Sequence, residues 1–229
     1  KSAGKARLEI FDKKQHDRIL WRMQSESDLR KVVARSELEV FYQPIVNLQN
    51  GQVKSFEALV RWFHPKKGYI SPAIFIPIAE EVGLIGKIGQ MVLEKVCKQI
   101  TTWQTDLPIE FCPNVAVNLS VRQLMDQENY QNVLNIIKNI KDITPYIKLE
   151  VTESVIMSDP DLIIKRLQEI HNLGVKLSID DFGTGYSSLS YLQRFPLNML
   201  KIDQSFAYDV PHNVANVSIS RAIISLAHS

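Results

Sequence analysis

The chain has 229 residues, 45% of them hydrophobic, and its 27 basic and 25 acidic side chains leave a formal net charge of +2. This length and composition predict one domain with a sizeable core, and the balanced charge disfavours polymeric nucleic acid as a partner. No uninterrupted apolar run reaches the roughly 18 residues of a membrane span. Cys97 and Cys112 show no zinc or disulfide spacing and are interpreted as packing residues. The sequence thus predicts a cytoplasmic domain, and it leaves open a longer parent protein that is tethered to a membrane.

The first half of the chain predicts a helix followed by a hairpin. Apolar residues recur at helical spacing among charges over residues 14–35. Two strands follow, over residues 40–46 and 53–62, and the Asn50-Gly51 turn between them predicts an antiparallel pair. The remainder of this half is interpreted as a loop over residues 65–72, followed by helices over residues 73–81 and 87–103. His64, next to this loop, is interpreted as a surface residue.

The second half alternates short apolar strands with helical stretches. The strands are predicted over residues 115–119, 147–151, 175–179 and 197–202. The helices are predicted within residues 123–140 and 162–172, near residues 189–194, and from Val214 to the end. This alternation is typical of parallel β units, which form either an open doubly wound sheet or a barrel.

Each of these strands is apolar on one side and polar on the other. An open sheet with helices on both faces favours strands that are apolar throughout. A barrel instead collects polar residues at the C-terminal rim of its strands, where its active sites lie. The fold class is therefore predicted to be α/β, with a TIM-type (β/α) barrel.

The polar positions supply a set of oxygen ligands near the strand ends. Taken singly, a strand-terminal acid is usually a cap or turn residue, but here five such groups share matching positions, namely Glu57, Asn118, Glu150, Asp180 and Asp181. Oxygen donors suit Mg²⁺ or Mn²⁺ rather than zinc. The adjacent aspartates favour two metals bridged by one carboxylate, and Lys201 supplies a positive charge at the same rim.

Six motifs in order resemble the EAL domain family of cyclic-di-GMP phosphodiesterases. The signature tripeptide is Glu57-Ala58-Leu59, which lies between Gln43-Pro44-Ile45 and a run of later motifs. The later motifs are Val117-Asn118-Leu119-Ser120, Glu150-Val151-Thr152-Glu153, Asp180-Asp181-Phe182-Gly183-Thr184-Gly185 and Leu200-Lys201-Ile202-Asp203. The resemblance runs from about Glu37 to the C-terminus.

The resemblance implies a modified (β/α)₈ barrel with an antiparallel first strand, and hydrolysis of cyclic-di-GMP to linear pGpG. It implies two Mg²⁺ or Mn²⁺ ions, the first held by Glu57, Asn118, Glu150 and Asp180, and the second by Asp180 and Asp181. The catalytic set is then Lys201, which orients or activates water, with Glu57, Asp180 and Asp181. Contacts to the cyclic dinucleotide are implied for Gln43, Leu59 and Arg61, with Arg61 near phosphate.

The resemblance also implies partners. Glu153 is expected to brace the loop over residues 181–188, which in this family couples the site to a homodimer interface. Residues 1–13 resemble the end of a GGDEF domain, so that residues 14–36 are expected to be a connecting helix and residues 37–229 the EAL domain. An upstream GGDEF or sensor domain is then expected in the parent protein.

Two questions stay open at this point. Six of the family's eight strands are counted here, and a later glutamate on the second metal and a downstream glutamine are not found, so weak binding of a second metal is expected. The motifs favour an enzyme over a cyclic-di-GMP receptor that lacks activity, or over a dimerisation module that binds no nucleotide.

Overall fold

The computed structural model describes residues 25–108, 111–185, 192–208 and 210–228. The predicted GGDEF tail over residues 1–13 lies outside the described residues, as do the first part of the predicted connecting helix and the first half of the helical piece near residues 189–194. Residues 25–32 form a helix, α1. Its side chains Leu29 and Val32 are buried in the core, so the described part of the connecting segment packs onto the domain.

A long hairpin begins the sheet, as predicted. Strand β1 (Leu38–Val46) pairs antiparallel with β2 (Val53–His64). The turn between them contains Gly51 with φ +69°, a conformation that costs glycine little because it has no Cβ.

The segment predicted as a loop over residues 65–72 contains a third strand. Strand β3 (Gly68–Ile70) folds back antiparallel onto the end of β2, with Phe63 opposite Tyr69. The reversal is stabilised by His64, whose Nδ1 accepts hydrogen bonds from the backbone N–H groups of Lys66 and Lys67, both at 3.1 Å.

The surface position expected for His64 is wrong. Its side chain is buried, and its Nε2 lies 3.1 Å from Oδ2 of Asp28 in α1. Lys67 Nζ lies 3.0 Å from the same oxygen. Asp28 therefore ties the N-terminal helix to the turn that follows β2, a contact between segments far apart in sequence.

The other four strands run parallel. They are β4 (Asn114–Asn118), β5 (Ile147–Thr152), β6 (Lys176–Phe182) and β7 (Met199–Ile202). The sheet order is β1-β2-β4-β5-β6-β7, with β3 on the outer end of β2. Such a mostly parallel sheet with an antiparallel first pair is the arrangement predicted from the sequence.

The helices cover the apolar side of the sheet. They are α2 (Pro72–Glu81), α3 (Ile85–Asp106), α4 (Val121–Met125), α5 (Gln127–Asn139), α6 (Glu153–Ser158), α7 (Pro160–Asn172), α8 (Gln204–Ala207) and α9 (Val214–Ala227), with a 3₁₀ helix at Lys141–Tyr146. Their starts follow the expected chemistry. Ser120 and Gln123 form a capping box before α4, and the Asp159 side chain caps α7, whose first turn contains Pro160.

The core lies between these helices and the outward side chains of the strands. Val117, Leu149 and Ile179 are buried there, with helix residues such as Ile137 and Leu167. Both cysteines are buried and free, as predicted. Among the described residues, no helix is at once long enough and apolar enough to cross a membrane.

Candidate active site

Three carboxylates from different strands meet on the polar side of the sheet. Parallel pairing places Asn118 of β4 opposite Glu150 of β5, and Thr152 of β5 opposite Asp180 of β6. One oxygen each of Glu57, Glu150 and Asp180 lies within 4.8 Å of the others. These three residues are called the acid cluster below. Glu150 and Asp180 lie near the C-terminal ends of their strands, whereas Glu57 lies in the first half of the longer strand β2.

Lys201 lies in the middle of the acid cluster. Its Nζ is 2.7 Å from Glu150 Oε2, 3.1 Å from Glu57 Oε2 and 3.1 Å from Asp180 Oδ2. Asn118 completes the group, since its Nδ2 donates to Glu57 Oε1 at 3.0 Å. The structure thus brings together five of the residues that the sequence singled out.

The charges in this site are not balanced by their direct contacts. Three carboxylates share one ammonium group, and burial raises the pKa of Glu150, partly offset by Lys201. Burial alone would lower the pKa of Lys201, but the hydrogen bond and charge of Glu150, with Glu57 and Asp180, raise it above its ordinary value. Glu150 Oε1 is buried and has no hydrogen-bond partner among the residues that the structure describes. An unpaired buried carboxylate oxygen is costly, so this position suits a further cation.

Asp181 occupies an irregular position in β6. Ile179 pairs with Leu200 and Phe182 with Ile202, so Asp180 and Asp181 together lie opposite Lys201 in a β-bulge. Asp181 has φ +53°, a left-handed conformation that aspartate adopts more readily than most residues. In a regular strand, neighbouring side chains point to opposite faces. Because the bulge breaks this alternation, the side chains of Asp180 and Asp181 are not held on opposite faces.

Asp181 is not part of the acid cluster, and Asp180 and Asp203 affect its pKa more strongly than Lys201 does. Burial raises its pKa, and the negative charges of Asp180 and Asp203 raise it further. Asp203 follows β7, and its Oδ1 accepts from the Ser205 hydroxyl and from the Ser205 N–H, the latter at 2.8 Å. These bonds lower the pKa of Asp203. Sequence reasoning did not include Asp203 among the site residues, although it follows Lys201 by two positions.

Glu153 holds the start of the loop that follows β6. Its side chain is buried, and its Oε2 accepts from the N–H groups of Gly183 at 3.0 Å and Gly185 at 3.1 Å. These contacts involve the residue and the loop expected from the family resemblance. Residues 186–188, the far part of that loop, lie outside the described residues.

The three residues expected to contact substrate lie on β1 and β2 beside the acid cluster. Gln43 is opposite Glu57, and Leu59 and Arg61 follow Glu57 on the same side of β2. A cavity of about 470 Å³ is lined by Leu59 and Arg61 together with Asn118 and Glu150. That volume is in the range of small-molecule sites.

The EAL domain family model matches residues 26–229. The chain is 36% identical over 229 residues to the cyclic di-GMP phosphodiesterase PdeR of Escherichia coli, covering all of this chain and 34% of PdeR. It is 38% identical over 229 residues to the bifunctional diguanylate cyclase/cyclic di-GMP phosphodiesterase MucR of Pseudomonas aeruginosa, covering all of this chain and 33% of MucR. The chain therefore spans about a third of the length of these curated relatives.

Solved structures of the family have the same fold. The structure described as PaMucR phosphodiesterase in complex with c-di-GMP has a TM-score of 0.83 and 40% identity, covering 90% of this chain and 82% of that chain. The cGMP-bound form of the EAL enzyme Bd1971 has a TM-score of 0.83 and 33% identity, covering 93% of this chain and 59% of that chain. The fold is thus that of the modified TIM barrels with an antiparallel first strand.

Proposed function

Since the chain belongs to the EAL domain family, we propose that it is a metal-dependent phosphodiesterase that hydrolyses cyclic-di-GMP to pGpG. The observation that carries this proposal is the meeting of Glu57, Glu150 and Asp180 around Lys201, beside the cavity that contains Arg61. Carboxylates that bind a divalent cation, an ammonium group and a guanidinium are the groups that phosphodiester hydrolysis needs.

The donor set fits a hard divalent cation. Its oxygens come from carboxylates and an amide, which suit Mg²⁺ or Mn²⁺, and the free Oε1 of Glu150 offers a ligand that nothing else uses. We assign Glu57, Asn118, Glu150 and Asp180 to one ion, and Asp180 with Asp181 to a second. When bound, such ions lower the pKa of a water molecule and neutralise charge on the phosphoryl oxygens.

Lys201 is proposed to position the attacking water. Its ammonium already donates to Glu57 and Glu150, so its orientation is fixed before substrate arrives. In the reaction, the water oxygen forms a bond to phosphorus as the bond from phosphorus to the 3′ oxygen breaks. That 3′ oxygen takes up a proton, and the product retains a 5′ phosphate.

Arg61 is proposed to bind a phosphate of the dinucleotide, because its planar guanidinium can form two parallel hydrogen bonds. Gln43 and Leu59 would contact the same ligand from the neighbouring positions of the sheet. Gln43 and Leu59 lie on the same side of the hairpin as Glu57, and Gln43 is its direct cross-strand partner. Fixing the phosphate in line with the water contributes to the rate through orientation as well as charge.

Glu153 is proposed to hold the loop after β6 for a homodimer interface, by analogy with the family. An upstream GGDEF domain is also proposed for the parent protein. Support for it comes from the bifunctional name of MucR and from the extra length of the relatives. The chemistry proposed above involves only residues of this domain and does not depend on the rest of the parent protein.

Hydrolysis of cyclic-di-GMP with Mg²⁺ or Mn²⁺ tests the proposal, with pGpG measured by chromatography. The chain is expected to release pGpG, and Glu57→Ala is expected to abolish release while its circular dichroism spectrum stays unchanged. Glu94→Ala, which changes an exposed glutamate of α3, is the matched control and should be active. Tight binding without pGpG would instead indicate a receptor, and absence of binding would indicate a structural module.

A further inference from the structure

Three aromatic side chains form a continuous exposed stripe on the first three strands. Phe41 of β1 is 48% exposed, Phe63 of β2 is 40% exposed and Tyr69 of β3 is 53% exposed. The ring centroids of Phe41 and Phe63 are 5.9 Å apart, and those of Phe63 and Tyr69 are 5.8 Å apart. These three residues are called the aromatic stripe, and nothing in the described part of the chain covers it.

The aromatic stripe lies on the same side of the sheet as the acid cluster. Residues at even spacing on a strand share a face, so Glu57, Leu59, Arg61 and Phe63 lie on one side of β2. Phe41 joins this side as the partner of Leu59, and Tyr69 joins it as the partner of Phe63. The stripe therefore continues the polar side of β2 from Arg61 towards the C-terminal end of the strand.

Arg61 connects the stripe to the site. Its guanidinium carbon is 6.0 Å from the centroid of the Phe41 ring, within the range of a cation–π contact. At about 3.3 Å per residue, Leu59 lies about 7 Å along β2 from Glu57, and its partner Phe41 lies beside it. Phe63 lies about 20 Å along β2 from Glu57 but only about 7 Å from Arg61. A base next to a phosphate that Arg61 holds would therefore reach the stripe.

We propose that the aromatic stripe is a stacking platform for one purine base of the dinucleotide, with Phe41 and Phe63 as the rings that the base covers. The proposal rests on the proposed function, because the base belongs to the cyclic dinucleotide whose phosphate the acid cluster is proposed to hydrolyse. Aromatic rings stack on any base through its π face. Two observations favour a nucleotide over an apolar peptide. The Arg61 guanidinium lies next to the aromatic stripe, and the stripe shares a side of the sheet with the acid cluster. The phosphate of a nucleotide can pair with Arg61, whereas an apolar peptide offers it no anionic group.

The matched variants are Phe63→Leu, which removes the aromatic ring, and Phe63→Tyr, which keeps it. Loss of stacking on one base weakens binding by roughly five-fold or more, so Phe63→Leu should raise KM for cyclic-di-GMP by about that factor with little change in kcat. Phe63→Tyr should restore the wild-type KM. Phe111→Leu is the control. Phe111 is also exposed, but it precedes the start of β4, which pairs with β2 at Ser55, whereas Phe63 lies near the C-terminal end of β2.

Two further measurements separate this proposal from the proposed function. Hydrolysis of bis(p-nitrophenyl) phosphate, which has no purine, should be the same for Phe63→Leu and the wild type. Calorimetric titration with pGpG should show the roughly five-fold loss even if turnover is absent. Equal losses on both phosphodiesters, or pGpG binding by Phe63→Leu at wild-type affinity, would overturn the platform alone. A wild type that binds no guanine nucleotide would overturn both.

Discussion

Lys201 and Glu150 form the shortest ion pair of the acid cluster, with Nζ 2.7 Å from Oε2. The Glu150 side chain is completely buried, whereas that of Lys201 is 24% exposed. Because burial raises the pKa of Glu150, its ionised form depends on the ammonium group beside it. The pair links β5 to β7 across the intervening strand β6.

Lys201→Met should therefore leave a buried carboxylate without its partner. Removing one member of such a pair costs about 3 kcal/mol of stability, and loss of a group that positions water lowers kcat by roughly 100-fold or more. Urea unfolding and pGpG release measure the two effects. Lys54→Met, which removes an exposed lysine of β2, should change neither. Wild-type turnover by Lys201→Met would rule out the role assigned to Lys201.

Glu57→Gln tests the metal assignment without changing the size of the side chain. One negative charge is lost, and amides are weaker ligands for divalent cations than carboxylates, so we expect Mn²⁺ affinity to fall by about ten-fold or more. Calorimetry with Mn²⁺ alone provides the measurement, independent of turnover. Glu94→Gln is the control with the same chemical change at an exposed position of α3. Unchanged Mn²⁺ affinity in Glu57→Gln would contradict the assignment.

Removal of metal should abolish activity without unfolding the protein. Lys201 already contacts all three carboxylates, so the fold retains a cation in the site when no metal is bound. With Mn²⁺ at about 100 times its dissociation constant, stability should rise by about 2.7 kcal/mol through binding to the native state alone. Thermal unfolding with EDTA and with Mn²⁺ checks both statements. Cooperative unfolding on addition of EDTA at 25 °C would show a structural metal instead.

Glu153→Ala should release the loop that follows β6. The substitution removes the acceptor of the Gly183 and Gly185 N–H groups, and each hydrogen bond to a charged group contributes about 2 kcal/mol. Hydrogen exchange at these two amides should become faster, and activity should fall. Glu153→Gln keeps an acceptor oxygen in the same place and should lie between the alanine variant and the wild type. Unchanged exchange in Glu153→Ala would contradict the bracing role.

Asp28→Asn tests the contact of the N-terminal helix. Burial acts to raise the pKa of Asp28, but the hydrogen bond and charge of Lys67, with those of His64, lower it below its ordinary value of 3.8. A lowered carboxyl pKa stabilises the folded state above pH 3.8, and this stabilisation is lost as the pH falls through the folded-state pKa. The asparagine variant should therefore be less stable by about 1 kcal/mol at pH 5 to 7.

Below pH 3.8 the difference between Asp28→Asn and the wild type should shrink. Urea unfolding at pH 7, 5 and 3.5 gives the profile, and Glu26→Gln, on the same helix, serves as the control. If the difference in the free energy of unfolding grew as the pH was lowered, the contribution of Asp28 to stability would not come from its ion pairs with His64 and Lys67.

Strand alternation was sufficient to predict much of the site from the sequence. Glu150, Asp180 and Lys201 each lie on the polar side of a strand and near its end, and parallel strands bring such positions to one edge. This is local information, because the side that a residue faces follows from its neighbours two positions away. The antiparallel hairpin of β1 and β2 was likewise predicted from the Asn50-Gly51 turn.

The remaining features depend on contacts between distant segments. The burial of His64 depends on Asp28, 36 positions earlier, and without that contact a histidine between aromatic and proline residues resembles a surface residue. Strand β3 is only three residues long, too short for an alternating pattern. Asp203 approaches Asp181 only because of the bulge, and no residue type in Asp180-Asp181-Phe182 requires one.

The bulge in β6 has a consequence for how this protein can vary. One extra residue shifts the alternation of the strand by a step, so Phe182 lies on the apolar side with Ile179. Deletion of Asp181 would remove the shift as well as the carboxylate. Phe182 would turn to the polar side, and the glycines that Glu153 holds would leave it. The aspartate pair and the course of the following loop therefore depend on the length of this segment as well as on its residue types.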